Sequence, residues 1–108
     1  MIDFNTMAKT AMPNFKGGEK SLIAQMQFDG MNRIMTGCLE HGASIGTHKH
    51  ETSSEILYVL RGVGTAVLDG TEETLLPGMC HYCPKGHTHS LKNNGSEDLV
   101  FFAVVPEQ

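Results

Sequence analysis

The stretch from Ser21 to Cys38 decides the fold, and it reads SLIAQMQF, then DG, then MNRIMTGC. Both runs are rich in residues that favour strands, and Gly30 follows Asp29 between them. An Asp-Gly pair tolerates the positive φ angles of a tight hairpin turn. We therefore predict a β-hairpin made of Ser21–Phe28 and Met31–Cys38.

The same pattern continues along the chain, with short β-rich runs separated by turns that contain glycine. The other predicted strands are Glu55–Leu60, Val63–Leu68, Thr71–Leu75 and Leu99–Val105. No stretch long enough for a helix keeps a 3.6-residue period without a Gly, a Pro or a turn cluster inside it. Many short antiparallel strands in one small domain need closure or two packed sheets to hide their edges, which predicts an all-β barrel or jelly roll.

Composition limits the range of partners. The 108 residues provide one domain of ordinary size, and 8 Lys plus Arg against 12 Asp plus Glu give a net charge of −4. The basic residues are scattered, so we expect no nucleic-acid partner. The longest apolar run, Leu99–Val105, is far shorter than a membrane span, so we expect no membrane partner. The N-terminal residues lack the features of a signal peptide, so we expect a cytoplasmic protein.

The first twenty residues differ from the rest because they contain Pro13, Gly17 and Gly18 and show little alternation. We interpret residues 1–20 as an N-terminal arm and residues 21–108 as a single barrel domain. The arm either pairs with a neighbouring molecule or is a loosely ordered tail.

Three cysteines, Cys38, Cys80 and Cys83, cannot all pair within one chain, which argues against a disulfide framework. Cys80 and Cys83 form a C-x-x-C motif, but Pro84 and Gly86 argue against the helix that a thioredoxin-like site requires. Reduced thiols packed in a strand are favoured over a redox role.

All six histidines lie between His41 and His89. His48 and His50 are two residues apart, so on a strand they project to the same face and can chelate one ion. Glu55 has the opposite parity in a continuous strand. The residues between His50 and Glu55 must therefore turn or bulge if Glu55 is to face the same centre.

A second segment, from Gly78 to His89, supplies His89, with His87 on the same face of a regular strand. A single surface histidine usually contacts only solvent. Here four residues of ligand type can face one centre, which favours a metal site; they are His48, His50, Glu55 and His89. Three imidazoles and one carboxylate suit a divalent Fe, Mn, Ni, Co, Cu or Zn ion, with a position left open for chemistry.

Two motifs in this chain resemble those of the cupin family. The first motif matches at Gly42, His48, His50, Glu55 and Gly62, and the second matches at Gly78, Pro84, Gly86, His89 and Asn93. The resemblance implies a double-stranded β-helix, the jelly-roll barrel of cupins, with one divalent metal at its mouth. It places His48, His50, Glu55 and His89 at the ligand positions.

Other residues near the motifs are candidates for catalysis. His87, His81 and Tyr82 are the candidates for proton transfer, since an imidazole changes charge near neutral pH. On the strand that contains the C-x-x-C motif, either His81 with Cys83 or Cys80 with Tyr82 faces inward, and parity alone leaves both open. We expect His41 to face solvent and Asn93 to hold a turn.

The sequence favours an enzyme that acts on an oxygen-rich small molecule, namely a sugar, sugar acid, dicarbonyl or carboxylate. Isomerisation, decarboxylation, lyase and dioxygenase reactions all occur in the resembled family. The alternative is a binding module that uses the same pocket without catalysis. A structural metal is less favoured, because structural zinc sites are usually rich in sulfur. We also expect a homodimer, joined through the arm or an apolar sheet face.

Overall fold

The computed structural model describes residues 1–108, and it contains ten β-strands and one short 3₁₀ turn, η1. The strands are β1 Thr10–Pro13, β2 Ser21–Phe28, β3 Asn32–Leu39, β4 Ser44–Lys49, β5 Glu55–Arg61, β6 Gly64–Leu68, β7 Thr71–Leu75, β8 Cys80–Cys83, β9 Thr88–Lys92 and β10 Leu99–Pro106, and η1 is Phe15–Gly17. No helix has the length and apolar character needed to cross a membrane.

The strands form two antiparallel sheets. The larger sheet has the order β1-β2-β3-β10-β5-β8, and the smaller one has the order β4-β9-β6-β7. The predicted hairpin is present as β2 paired with β3 around the turn at Asp29 and Gly30. The all-β, double-sheet jelly roll predicted from the sequence is therefore confirmed.

The core lies between the sheets, and alternation along each strand fills it. In β5, Leu57 and Val59 are buried, while Ile56 and Tyr58 are exposed. Neither alternate set of residues in Leu99–Val105 is polar, which predicts that this strand is buried on both faces, but the structure differs. Leu99, Phe101 and Ala103 enter the core, whereas the alternate residues stay partly exposed on the outer face of the sheet.

The N-terminal arm packs on its own chain. Strand β1 pairs with β2 as an edge strand of the larger sheet, and η1 lies against β4. The contact with β4 is backbone to backbone, because a Cβ on Gly46 would stand 2.0 Å from the carbonyl oxygen of Lys16. Glycine at position 46 thus permits the close approach that brings the arm to the rim of the barrel.

Candidate metal centre

Four side chains that could hold a metal come from both sheets. His48 lies on β4 and is paired across the ladder with His89 of β9. His50 directly follows β4, and Glu55 is the first residue of β5 in the opposite sheet. The site therefore lies where one end of the smaller sheet meets β5.

The segment between His50 and Glu55 makes the turn that the parity argument required. It crosses from one sheet to the other, and Ser53 forms an isolated antiparallel bridge with Glu107 on the way. Glu55 then faces the histidines from the opposite side, with only 8% of its surface exposed.

The donor atoms of the four residues lie within 4.8 Å of one another. Oε1 of Glu55 is 3.2 Å from Nε2 of His50 and 3.3 Å from Nε2 of His89, and the two Nε2 atoms are 2.9 Å apart. With bonds of about 2.1 Å, neighbouring ligand atoms of one ion lie roughly 3.0 Å apart in octahedral and 3.4 Å apart in tetrahedral coordination. The observed spacing and the N₃O donor set thus fit a single divalent transition-metal ion.

The other ring nitrogen of each histidine already has a partner. Nδ1 of His48 lies 2.7 Å from the carbonyl oxygen of Gly46, and Nδ1 of His50 lies 3.0 Å from Oγ of Ser53. Nδ1 of His89 lies 2.9 Å from Nε2 of His81. Partners of this kind orient ligating imidazoles, so each Nε2 is the atom left to bind an ion.

Two pKa shifts favour the protonation states that ligands need. Burial lowers the pKa of His48, which favours the neutral imidazole. Burial opposes the ionisation of Glu55, but the neighbouring imidazoles of His50 and His89 outweigh it and lower the pKa of Glu55 to about 2. The carboxylate is therefore ionised at neutral pH.

The donor cluster lines a cavity of about 560 Å³. Three methionines, Met12, Met26 and Met35, contribute to an apolar part of the wall. The charged residues of the wall other than Glu55 are Lys16, Arg33, Lys49, Glu51 and Glu107. The volume is ample for a small organic ligand next to the donor atoms.

The structure separates the three candidates for proton transfer. His81 is buried and lines the cavity together with the donor cluster. Tyr82 points away from the barrel with 52% of its surface exposed, and His87 lies in the turn before β9. Neither Tyr82 nor His87 lines this cavity.

His87 leaves the face of His89 because β9 begins only at Thr88. The residue before it, Gly86, has a φ of +87°, and the backbone N–H of His87 donates to the carbonyl of Pro84. Its Nδ1 lies 2.5 Å from Oδ2 of Asp69. The turn, rather than strand parity, sets the direction of this side chain.

The structure shows which face of β8 is turned toward the barrel interior. His81 and Cys83 face inward, while Cys80 and Tyr82 are exposed. Burial raises the pKa of Cys83 to about 11, helped by the charges of Glu55 and Asp69, so its thiol stays protonated. All three cysteines are free.

Two predictions outside the donor cluster concern His41 and Asn93. His41 is exposed, as expected, and its Nδ1 contacts the carbonyl oxygen of Gly95. The buried amide of Asn93 donates to the carbonyls of Leu39 and Glu97 and accepts from the N–H of Gly95. Asn93 thus holds the turn before β10 and does not touch the donor cluster.

Sequence reasoning missed one group next to the donor cluster. Glu73 on β7 lies 2.7 Å, Oε1 to Nδ1, from His81, which in turn contacts His89. A signal was present, because Glu73 shares a strand face with the buried Leu75, and a carboxylate on an inward face needs a partner.

Comparison with known proteins agrees with this picture. The profile of the Cupin domain family matches residues 35–105. An oxalate-binding protein of Thermotoga maritima is 39% identical over 67 residues, which cover 62% of this chain and 55% of that protein. A germin-like protein of Arabidopsis thaliana is 28% identical over 104 residues, 88% of this chain and 50% of that protein. The chain thus spans about half the length of the curated relatives it matches.

Similarity to a solved structure extends over the whole chain. The crystal structure of a predicted oxalate decarboxylase from Thermotoga maritima has a TM-score of 0.93 at 26% identity, and the match covers 100% of this chain and 99% of that one. The family profile, the two sequence motifs and the double-sheet fold all indicate the same family. The chain belongs to the Cupin domain family.

Proposed function

We propose that this protein is a metal-dependent small cupin that acts as an enzyme on an oxygen-rich small molecule, with His48, His50, Glu55 and His89 as the metal ligands. One observation carries the proposal. The three imidazoles turn their Nε2 atoms and Glu55 turns a carboxylate oxygen toward one point in the wall of a cavity of about 560 Å³.

The ion is one divalent transition metal per chain, drawn from Fe, Mn, Ni, Co, Cu and Zn. Such an ion would polarise substrate oxygens as a Lewis acid, which is the chemistry that isomerisation, decarboxylation and lyase reactions use, while a dioxygenase reaction would also need a redox-active ion such as Fe. The chain itself supplies the ligand set, the carboxylate charge of Glu55 and a cavity wall that is partly apolar and partly charged. Because Glu55 serves as a ligand, it is a poor general base. His81, His87 and Tyr82 stay predictions as proton-transfer groups.

Among the predicted substrate classes, carboxylates have the most support. Lys16, Arg33 and Lys49 line the cavity, and a guanidinium can hold a carboxylate through two parallel hydrogen bonds. The oxalate-binding relative and the predicted oxalate decarboxylase, both from Thermotoga maritima, bear names that refer to oxalate. Oxalate is therefore the first compound to test, followed by keto acids, sugar acids and sugars.

Metal content tests the ligand assignment. Purified wild type is expected to hold about one ion per chain, and His48→Ala to lose most of it. His41→Ala is the matched control, because His41 is exposed and lies outside the donor cluster. Equal metal content in all three proteins would refute the assignment.

Measurement of product formation tests whether the protein is an enzyme. Metal-loaded protein is incubated with the panel of compounds and followed by NMR, with His48→Ala as the control for contaminating activity. Product formed by the wild type alone supports an enzyme.

The second candidate is a binding module, which the printed name of the oxalate-binding relative favours. Saturable, metal-dependent binding of one compound with no product across the panel would support this candidate over the enzyme.

We also propose that the protein is a cytoplasmic homodimer. Four large side chains on the outer face of the larger sheet, Ile56, Tyr58, Leu60 and Tyr82, are 44–52% exposed, and exposed apolar patches mark interaction sites. The three unpaired cysteines agree with a reducing compartment. A sedimentation experiment is expected to show a dimer, and a monomer at micromolar concentration would overturn the proposal.

A further inference from the structure

A chain of hydrogen-bonding groups leads from the surface to the donor cluster through residues outside the ligand set. Oε1 of Glu73 lies 2.7 Å from Nδ1 of His81, and Nε2 of His81 lies 2.9 Å from Nδ1 of His89. The side chain of His81 is 0% exposed and that of Glu73 is 38% exposed. The His81 side chain is therefore buried, and Glu73 and His89 fill both of its hydrogen-bonding positions.

The two sheets meet at this point. Glu73 lies on β7, the edge strand of the smaller sheet, and His81 lies on β8, the edge strand of the larger one. Both side chains face the barrel interior, because Glu73 shares a face with the buried Leu75 and His81 shares a face with the buried Cys83. The contact thus joins two edges that no backbone ladder connects.

The direction of the protons follows from the groups themselves. An ionised carboxylate only accepts, so Nδ1 of His81 carries a proton and donates it to Glu73. In a neutral His81 the remaining nitrogen, Nε2, has only a lone pair, so Nδ1 of His89 must be the donor in the next contact. Nε2 of His89 is then left unprotonated and can accept from Nε2 of His50, 2.9 Å away. Glu55 competes with His81 for the proton of His89, but its Oε1 is 3.3 Å from Nε2, whereas the contact of Nδ1 with His81 is shorter, at 2.9 Å.

We propose that Glu73 and His81 are positioning residues that hold His89 in the tautomer with its proton on Nδ1, so that Nε2 is prepared to bind the metal. This inference rests on the proposed metal site and adds a role for two residues outside it. Partners of a ligating imidazole fix its orientation and raise its basicity, and their loss costs roughly 10- to 100-fold in metal affinity.

The tautomer of His89 gives a test that needs no metal. In metal-free protein labelled with ¹⁵N, long-range ¹H–¹⁵N NMR spectra at alkaline pH distinguish a proton on Nδ1 from one on Nε2. We expect Nδ1–H on His89 in the wild type and a mixture or Nε2–H in His81→Phe. A wild-type His89 with its proton on Nε2 would overturn the inference, because His81 would then be the donor.

Metal affinity gives the second test, measured with Co²⁺ alone by competition with a chelator. We expect His81→Phe to bind Co²⁺ about 10- to 100-fold more weakly and with an altered visible spectrum, and His81→Gln to recover part of the loss, since its amide oxygen can accept from His89. Glu73→Gln should show a smaller loss. Glu72→Gln, on the exposed face of the same strand, is the matched control and should bind as the wild type does.

The outcomes separate this inference from the proposed function. A wild type that binds no Co²⁺ refutes the metal site, while the NMR result on His89 still decides the tautomer. The positioning role is overturned if the wild type, His81→Phe and Glu73→Gln bind Co²⁺ equally tightly and give the same visible spectrum. If His81→Phe does not fold, as judged by circular dichroism, Glu73→Gln carries the same comparison against Glu72→Gln.

Discussion

Two histidine–carboxylate pairs have the same local geometry but very different surroundings. In His81–Glu73 and His87–Asp69 the Nδ1 atom lies 2.7 Å and 2.5 Å from a carboxylate oxygen. The side chain of His81 is fully buried, whereas that of His87 is 47% exposed. The two pairs thus differ in the burial of the histidine, while both carboxylates reach the surface.

The second nitrogen of each histidine shows what the difference means. Nε2 of His81 contacts His89 of the donor cluster, so the His81–Glu73 pair is connected to the site. Asp69 also accepts from the backbone N–H of Thr88, so the exposed pair fastens the turn that precedes β9. Exposed ion pairs contribute little to stability, and we assign the exposed pair a local role.

The largest expected contrast concerns metal binding. His89→Ala removes a ligand, and we expect its metal affinity to fall by on the order of 100-fold or more, because even the loss of a ligand's partner costs up to that much. His87→Ala, only two residues away, should bind metal as the wild type does. Chelator competition measures both, and similar losses in the two variants would contradict the distinction between the pairs.

The next contrast concerns the stability of the metal-free protein. His81→Ala leaves a cavity between the sheets and strips Glu73 of its partner, which should cost about 2 kcal/mol or more. His87→Ala should change stability by less than about 0.5 kcal/mol, as surface substitutions usually do. Urea unfolding in EDTA measures the difference, and overlapping curves for the two variants would count against it.

A smaller effect is expected at the partner of another ligand. Ser53→Ala removes the hydroxyl beside Nδ1 of His50, and we expect roughly threefold to tenfold weaker metal binding, at the low end for partners of ligands. Ser54→Ala is the matched control, because Ser54 is also buried and its hydroxyl accepts from Gln108 and not from a ligand. Equal affinity in the two variants would show that the Ser53 contact does not orient His50.

The smallest expected effect is the pH dependence of the exposed pair. Hydrogen bonds from the Thr88 N–H and from His87 hold the pKa of Asp69 below its ordinary value of 3.8. As pH falls, the unfolded chain therefore takes up this proton first, so the stabilisation is present above pH 3.8 and disappears below it. The urea midpoint of wild type should exceed that of Asp69→Asn at neutral pH, and the gap should close in acid. A gap that persists at the lowest pH would contradict this origin.

Much of the fold was predictable because strand signals are local. The predicted strands Ser21–Phe28 and Thr71–Leu75 have the observed bounds, and the other four predicted strands differ by one residue at one or both ends. The fate of the first twenty residues was not predictable. Their docking depends on the close approach of Gly18 and Gly46, which are far apart in the sequence.

The donor cluster was predictable for a similar reason. His48 and His50 share a face through strand geometry, and the required turn before Glu55 is present. His87 shows where this reasoning ends. Parity holds only within a regular strand, and β9 begins one residue after His87.

The sequence by itself determined the jelly roll and the residues able to bind an ion, because alternation, turn residues and ligand spacing act over short distances along the chain. The tertiary structure alone decided that His81 faces inward and that Glu73 meets it across two sheet edges. The physical reason is that strand pairing sets which face of β8 is buried. A buried histidine then takes whatever hydrogen-bonding partners the opposite sheet presents.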